Sequence, residues 1–171
     1  MKVTMKRRTT FAALVLLAAS AGVTADTGRQ MPARVPAAYQ QECAACHLAY
    51  PPGLLPASSW QRVMSGLDKH YGTDASLDAA TIKELSAWLQ ANAGTYRRVT
   101  EEPPQDRITR SAWFERKHRQ IESAVWALPS VKSAANCAAC HTDAQQGRFS
   151  DHALRQPAGL TARQQRAWNN D

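Results

Sequence analysis

Two copies of the pentapeptide Cys-Ala-Ala-Cys-His constrain this 171-residue chain more than any other feature. They occupy residues 43–47 and 137–141 and contain all four cysteines of the chain. Thiols three positions apart lie on one side of a helical turn, where each can add to one vinyl group of the same porphyrin. The histidine that follows then lies beneath the iron as its proximal ligand. The sequence therefore predicts two covalently bound haem c groups. Their predicted attachment residues are Cys43 and Cys46, then Cys137 and Cys140, and the proximal ligands are His47 and His141.

Other roles fit these cysteines less well. A disulfide needs no histidine at the same offset in both copies. A zinc site built from two Cys-x-x-Cys pairs usually has roughly 15–20 residues between them, whereas about 90 residues separate these two motifs. A thioredoxin-like redox pair expects one motif beside a strand–helix unit, and the chain shows almost no strand pattern. Zinc and disulfide roles stay as the alternatives to haem.

The N-terminal segment has the features of a cleaved secretory signal. A basic start is followed by an apolar run from Phe11 to Val23 and by small residues up to Ala25. The run is too short to span a membrane, so residues 1–25 are predicted to be a signal peptide cleaved after Ala25. An uncleaved anchor is the alternative. Because haem c is normally attached outside the cytoplasm, we expect the mature protein in a bacterial periplasm, with no membrane span.

The net charge of the whole chain, +7, overstates the charge of the mature protein. The predicted signal holds four basic and no acidic residues, which leaves 17 Lys plus Arg against 14 Asp plus Glu, or +3. Each haem also adds two propionates, so the loaded protein is expected to be close to neutral. A nucleic-acid-binding function is therefore not expected.

Helical periodicity dominates the rest of the chain. Apolar residues recur at steps of three and four, and Gly and Pro follow the ends of these patterns. Asp78 is predicted to be the N-cap of one helix. The predicted helices cover residues 39–49, 58–70, 78–92, 109–125 and 130–147.

A polar, proline-containing stretch divides the chain into two parts. The predicted fold is therefore all-α: a helical, haem-packed cytochrome c with two small haem lobes and long loops. The C-terminal tail is polar and weakly patterned, and it is expected to fray. The predicted segments are a signal peptide at 1–25, a first haem lobe at 26–94, a linker at 95–107, a second haem lobe at 108–156 and the tail at 157–171.

Each iron needs a second axial ligand for electron transfer, or an open position for chemistry on a small molecule. His70 and His118 lie on the apolar faces of predicted helices, one in each lobe, where an imidazole is costly unless something binds it. We predict these two as the distal ligands, with a hydrogen-bonded core histidine as the alternative for each. Met64 is the rival in the first lobe, although its spacing is typical of core packing. His152 is the rival in the second lobe but has no apolar face. Met31 lies in a proline-flanked start that is expected to be mobile.

The chain resembles the small dihaem cytochrome c family over about residues 42–155. The resemblance implies two low-spin haems, with His70 facing His47 and His118 facing His141. It also implies a periplasmic electron carrier that serves another haem protein, such as an oxygen-binding monohaem cytochrome c or a membrane b-type cytochrome. The residues that carry it are the two motifs, Tyr50-Pro51-Pro52-Gly53-Leu54-Leu55-Pro56, Trp60, His70-Tyr71-Gly72-Thr73-Asp74-Ala75-Ser76-Leu77, Ile108-Thr109, Trp113-Phe114, His118 and Gln146-Gly147.

The leading hypothesis is a periplasmic electron-transfer dihaem cytochrome c, not an enzyme, that exchanges electrons with another haem protein. The alternative is a small haem enzyme, a peroxidase or reductase, with one open iron site; a haem-based sensor is a third interpretation. Arg116, Lys117 and Arg119 flank His118 and form a candidate docking patch. The alternative for these three residues is an ordinary solvated helix face.

Overall fold

The computed structural model of the chain describes residues 30–94, 99 and 101–169. This part of the chain forms α-helices and single turns of π- or 3-10-helix. It forms no β-strand, only two isolated bridges that join His70 to Thr73 and His141 to Leu154. The all-α prediction is confirmed. The α-helices are α1 (Ala57–Ser65), α2 (Ala79–Asn92), α3 (Ala112–Lys117), α4 (Ser123–Trp126) and α5 (Ala162–Asn169).

Some predicted segments fall outside the described residues. The predicted signal peptide at 1–25 is one of them, and positions 95–98 and 100 of the predicted linker are others. Within the residues that the structure does describe, no helix is both long enough and apolar enough to cross a bilayer.

The first lobe is built on the packing of α1 against α2. Leu85 and Leu89 of α2 are essentially inaccessible to solvent, and Trp60 and Met64 of α1 pack in the same core. The indole nitrogen of Trp60 donates a hydrogen bond of 2.7 Å to the backbone oxygen of Pro52. This bond ties the proline-rich segment that follows the first motif to the helical core.

The limits of α2 match the prediction. The carboxylate of Asp78 accepts hydrogen bonds from the backbone nitrogens of Ala80, at 2.9 Å, and Thr81, at 3.0 Å. It also accepts one from the Thr81 hydroxyl at 2.6 Å. The predicted N-cap role of Asp78 is confirmed, because these bonds satisfy backbone donors that the first helical turn leaves without intrahelical partners.

The helix that leads to His70 is shorter than predicted. α1 ends at Ser65, Gly66 is its C-cap, and a 3-10 turn at Leu67–Lys69 follows. His70 is the residue that ends this turn. The predicted helix over 58–70 ran through Gly66, where a helical conformation is disfavoured by about 1 kcal/mol relative to alanine. His70 therefore follows a 3-10 turn instead of lying within an α-helix, and its backbone has φ of −61° and ψ of 88°.

The predicted helix over 109–125 is wrong as a single element. Ser111 caps α3: its hydroxyl accepts from the backbone nitrogen of Phe114 at 3.3 Å and donates to the backbone oxygen of Ile108 at 2.7 Å. α3 then ends with His118 as its C-cap, and the extended backbone of Glu122 precedes α4. The two bonds of Ser111 set the start of α3 at Ala112. At its other end α3 stops at His118, which therefore lies at a helix end rather than in a helix centre.

The chain around both motifs also forms less helix than predicted over 39–49 and 130–147. In the second segment Lys132 adopts a left-handed conformation with φ of 70°. The side-chain amide of Asn136 donates to the backbone oxygen of Val131 at 3.0 Å, another local bond that replaces the helical pattern. The helical turns present are Tyr39–Cys43 (π), Cys137–Ala139 and Ala144–Gln146 (both 3-10).

The described end of the predicted linker is held against the first lobe. Arg62 of α1 lies 2.7 Å from Glu102 and 2.7 Å from Asp106. The hydrogen bond from Arg62 is the main cause that lowers the pKa of Asp106 below its ordinary value. The hydroxyl of Tyr71 donates to the backbone oxygens of Gln105 and Asp106. These contacts fix the chain as it leaves the first lobe, while the lobe boundaries themselves stay a prediction.

The N-terminal end of the described chain is not the mobile start that we expected. Met31 is buried in the first-lobe core, and the backbone nitrogen of Gln30 donates to the backbone oxygen of Gly147 at 2.8 Å. Gly147 has a φ of 69°, and a Cβ at this position would lie 2.7 Å from the Cβ of Met31. Glycine is therefore needed for the N-terminal segment to pack against the loop after the second motif.

The C-terminal tail also departs from the prediction, because α5 forms where we expected fraying. The guanidinium of Arg163 contacts the carboxylate of Glu122, and the side-chain amide of Gln164 donates to the same carboxylate at 3.0 Å. These polar contacts attach the tail to the residue that precedes α4. Apolar periodicity is weak in this part of the sequence and does not reveal the helix, and the contacts from Arg163 and Gln164 to Glu122 are polar.

Candidate functional site

His47 and His70 face each other in the first lobe. Their ring centroids are 6.1 Å apart and the ring planes are inclined by 22°. Nδ1 of His47 lies 2.7 Å from the backbone oxygen of Leu48; because a carbonyl can only accept, Nδ1 carries the proton and Nε2 keeps the free lone pair. The pKa of His70 is lowered by burial, then by His47 and Arg107. At neutral pH the His70 ring is therefore uncharged and able to bind a metal.

His118 and His141 form the matching pair in the second lobe. Their centroids are 6.3 Å apart and the planes are inclined by 80°. Nδ1 of His118 donates to the backbone oxygen of Phe114 at 2.9 Å, and the Phe114 ring stacks on the imidazole at 4.0 Å. The bond to the carbonyl leaves Nε2 of His118 as the nitrogen available to a metal.

Burial is the main cause that lowers the pKa of both His118 and His141. For His141, neighbouring His118 lowers the pKa further, and the backbone of Ser150 acts in the opposite direction. Nδ1 of His141 is buried without a well-aligned hydrogen bond. Both rings of the pair are therefore neutral at neutral pH, which is the form that ligates metals.

The second motif folds into one turn that gathers its reactive side chains. The backbone nitrogens of Cys140 and His141 both donate to the backbone oxygen of Cys137, at 3.2 and 2.8 Å. The four cysteines all lie within the described residues and form no disulfide with one another. Before haem is attached, burial raises the pKa of the Cys43 and Cys137 thiols to about 11; in the loaded protein these sulfurs would be thioethers with no proton to lose.

The two histidine pairs fit haem c. A metal that bonds an imidazole nitrogen on each side at about 2 Å separates the two ring centroids by about 6 Å. The observed centroid distances of 6.1 and 6.3 Å match that spacing. In each lobe the motif supplies two thiols next to one histidine of the pair. Axial ligation by these residues stays a prediction that their placement supports. The residues that would hold the groups are Cys43, Cys46, His47 and His70 in the first lobe, and Cys137, Cys140, His141 and His118 in the second.

The rival ligands lie elsewhere. Met64 is 6% exposed in the first-lobe core, which confirms the prediction of core packing, and Met31 is in the same core. The side chain of His152 is 94% exposed and lies 3.8 Å from Asp151. The prediction that His152 is a solvated surface residue is confirmed.

Two aromatic residues beside the pairs were not singled out as site residues from the sequence. Tyr50 stacks on His47 with centroids 5.0 Å apart, and Phe149 approaches His141 edge-on at 5.7 Å. Tyr50 follows His47 by three residues, a spacing that places two side chains on one face of a helical turn, so the sequence held a signal for this contact. Phe149 is not at such a spacing from His141, and the sequence held no comparable signal for it. Burial raises the pKa of Tyr50, and Cys137 adds to the rise. The Tyr50 hydroxyl therefore stays protonated and acts as a donor.

An all-helical chain with two Cys-x-x-Cys-His motifs, each opposite a second histidine, defines a c-type cytochrome of the two-haem class. The family model for dihaem cytochrome c (DHC) matches residues 39–149. This chain belongs to the dihaem cytochrome c family. The matched residues, 39–149, include most of residues 42–155, over which the sequence resembles that family.

Solved structures of dihaem cytochromes are similar to this chain. The crystal structure of DHC purified from Rhodobacter sphaeroides is 39% identical, covers 68% of this chain and 98% of its own, and has a TM-score of 0.59. The diheme cytochrome type c from Shewanella baltica OS155 is 35% identical, covers 72% of this chain and 96% of its own, and has a TM-score of 0.64. No curated protein matches the chain.

Proposed function

We propose that the protein is a periplasmic electron carrier with two bis-histidine haem c groups. The observation that carries the proposal is the histidine pair in each lobe, at centroid distances of 6.1 and 6.3 Å. Membership in the dihaem cytochrome c family supports two haem c groups and a role in electron transfer. In this proposal both axial positions of each iron are filled by protein, so the protein turns over no substrate.

Bound haem c supplies the ferric/ferrous couple. The chain's own residues hold and tune it. His47 and His141 would ligate from the motif side, and His70 and His118 from the opposite side. The backbone oxygens of Leu48 and Phe114 fix the orientation of two of these rings and raise the basicity of their ligand nitrogens. Two imidazole ligands stabilise ferric iron more than a histidine–methionine pair does, so low potentials are expected.

Two measurements test the haem content and the ligation. A pyridine haemochrome assay on denatured protein should give two haems per chain, still attached after acid–solvent extraction. The native ferrous protein should bind carbon monoxide poorly, because no axial position is open. Haem that is extracted by acid solvent refutes covalent attachment. Stoichiometric carbon monoxide binding refutes bis-histidine ligation and favours the haem-enzyme alternative.

The proposed partner is another haem protein in the periplasm, such as an oxygen-binding monohaem cytochrome c or a membrane b-type cytochrome. Support for a charged docking site comes from Arg116, Lys117 and Arg119, which are exposed around the half-buried His118. Stopped-flow mixing of the reduced protein with a candidate monohaem cytochrome should show fast transfer that slows as salt is added. A rate that does not change with salt refutes the charged patch. The location is tested by recovery of a chain that begins at Asp26 from the periplasmic fraction.

A further inference from the structure

Tyr50 makes direct contact with both haem lobes. Its ring stacks on His47, with centroids 5.0 Å apart and planes inclined by 26°. Its hydroxyl donates a hydrogen bond of 2.7 Å to the backbone oxygen of Ala135, which lies 85 positions further along the chain. Ala135 is two residues before the first cysteine of the second motif. One side chain therefore joins a histidine of the first site to the attachment loop of the second.

Tyr50, with its contacts to His47 and Ala135, forms a bridge between the two sites. The hydrogen bond from its hydroxyl ends next to a haem attachment residue. The backbone oxygen of Ala135 lies 3.7 Å from the sulfur of Cys137 and 3.1 Å from its backbone nitrogen. The Cys137 thiol stands in for the thioether sulfur of the loaded protein, which has no S–H to donate. The sulfur contact then becomes a van der Waals contact, while the hydrogen bond from Tyr50 is unaffected.

The surroundings of Tyr50 hold its ring in place. The hydroxyl of Tyr39, which is 2% exposed, donates to the backbone oxygen of Tyr50. Ala49 on one side and Pro51 on the other are both buried. A proline also has a fixed φ, which restricts the backbone next to Tyr50. The bridge is therefore built on a segment with little freedom to move.

We propose that Tyr50 couples the two haem sites, acting as a positioning residue that sets their separation and supplies a packed contact for electron exchange between them. The proposal rests on the function proposed above. In the loaded protein, the exchange would pass one electron from the ferrous iron of one haem to the ferric iron of the other, so that the first would be oxidised and the second reduced. No bond forms or breaks and no proton moves, because the Tyr50 hydroxyl keeps its proton and its hydrogen bond.

The test compares Tyr50→Phe with Tyr71→Phe in the haem-loaded protein. Tyr50→Phe keeps the ring on His47 and removes the hydroxyl that reaches Ala135. Tyr71→Phe is a matched control, because Tyr71 also lies beside a histidine of the first pair, at 4.9 Å from His70, but its hydroxyl bonds stay at positions 105 and 106. Haem methyl NMR of partly reduced samples measures electron exchange between the two sites, and voltammetry measures the separation of the two potentials.

The expected result is several-fold slower exchange in Tyr50→Phe together with a changed separation of the potentials, and wild-type exchange in Tyr71→Phe. Both variants should keep two covalent haems and low-spin spectra. Wild-type exchange in Tyr50→Phe overturns the proposal, and so does an equal loss in both variants, which would reflect general loosening. If Tyr50→Phe does not fold, a crystal structure of the loaded wild-type protein decides instead: a Tyr50 hydroxyl beyond hydrogen-bond distance of the Ala135 oxygen overturns it. Fewer than two haems or an open iron in the wild-type protein refutes the proposed function itself.

Discussion

Replacement of Phe114 with alanine should destabilise the second lobe substantially. The residue is only 7% exposed, and truncation of a buried phenylalanine typically costs about 3–5 kcal/mol. Its ring stacks on His118 at a centroid distance of 4.0 Å, and an aromatic pair adds about 0.5–1.5 kcal/mol beyond burial. We therefore expect a loss of about 4 kcal/mol. For a chain of this size, each kcal/mol lowers Tm by about 2–4 °C, so Tm should fall by about 8–16 °C.

The same substitution should leave the orientation of His118 intact. The bond that orients the imidazole runs from its Nδ1 to the backbone oxygen of Phe114, and alanine has the same backbone oxygen. Ferric Phe114→Ala protein should therefore keep two low-spin electron paramagnetic resonance signals, whereas His118→Ala should lose one. Thermal melts followed by circular dichroism, on samples of equal haem content, measure the stability. A decrease in Tm of less than about 4 °C would contradict the packing of Phe114. Loss of a low-spin signal would show that the Phe114 ring, rather than its backbone carbonyl, orients His118.

Three further predictions test the axial ligands, the α3 cap and the linker. His70→Met should raise the potential of the first haem by about 100 mV or more, measured by voltammetry, while His152→Ala should leave both low-spin signals unchanged; an unchanged potential would contradict ligation by His70. Ser111→Ala removes a buried cap and should cost about 1–2 kcal/mol of unfolding free energy, more than the exposed Ser123→Ala in the same denaturation assay; equal effects would contradict the capping role. The pKa of Asp106 is depressed below 3.8 by Arg62, so its contribution to stability is present above that value and is lost as the pH falls through the folded-state pKa. Asp106→Asn should therefore reduce the loss of Tm between pH 7 and pH 3 relative to wild type, and an unchanged pH dependence would argue against this ion pair.

Local chemistry in the sequence was enough to predict several features. The spacing of Cys137, Cys140 and His141 places all three on one turn whatever surrounds them, since the reach of a helical turn is short. Asp78 caps α2 through bonds to residues two and three positions ahead, an interaction that needs no distant partner. The exposed position of His152 followed from the absence of apolar neighbours at helical spacing.

Helix lengths were less predictable, because continuity depends on the ends as well as on periodicity. The apolar stripe over 58–70 continues past Gly66, so periodicity alone favoured one helix there, although α1 ends at this glycine and a tighter turn carries His70. The stripe over 109–125 likewise concealed the cap at Ser111 and the helix end at His118. In both cases the predicted distal histidine lies where the helix stops. The sequence identified these residues, but their ring directions depend on how each turn closes.

The sequence by itself determined where the two motifs lie, that the chain is helical and which histidines to consider. Only the tertiary structure brought His70 to 6.1 Å from His47 and His118 to 6.3 Å from His141. It alone placed the Tyr50 hydroxyl against Ala135, 85 positions away. The physical reason is the distance along the chain over which each kind of interaction acts. Caps, motifs and periodicity are set by bonds within one or two turns, whereas pairing of distant residues depends on how whole elements pack, and many packings share the same local pattern.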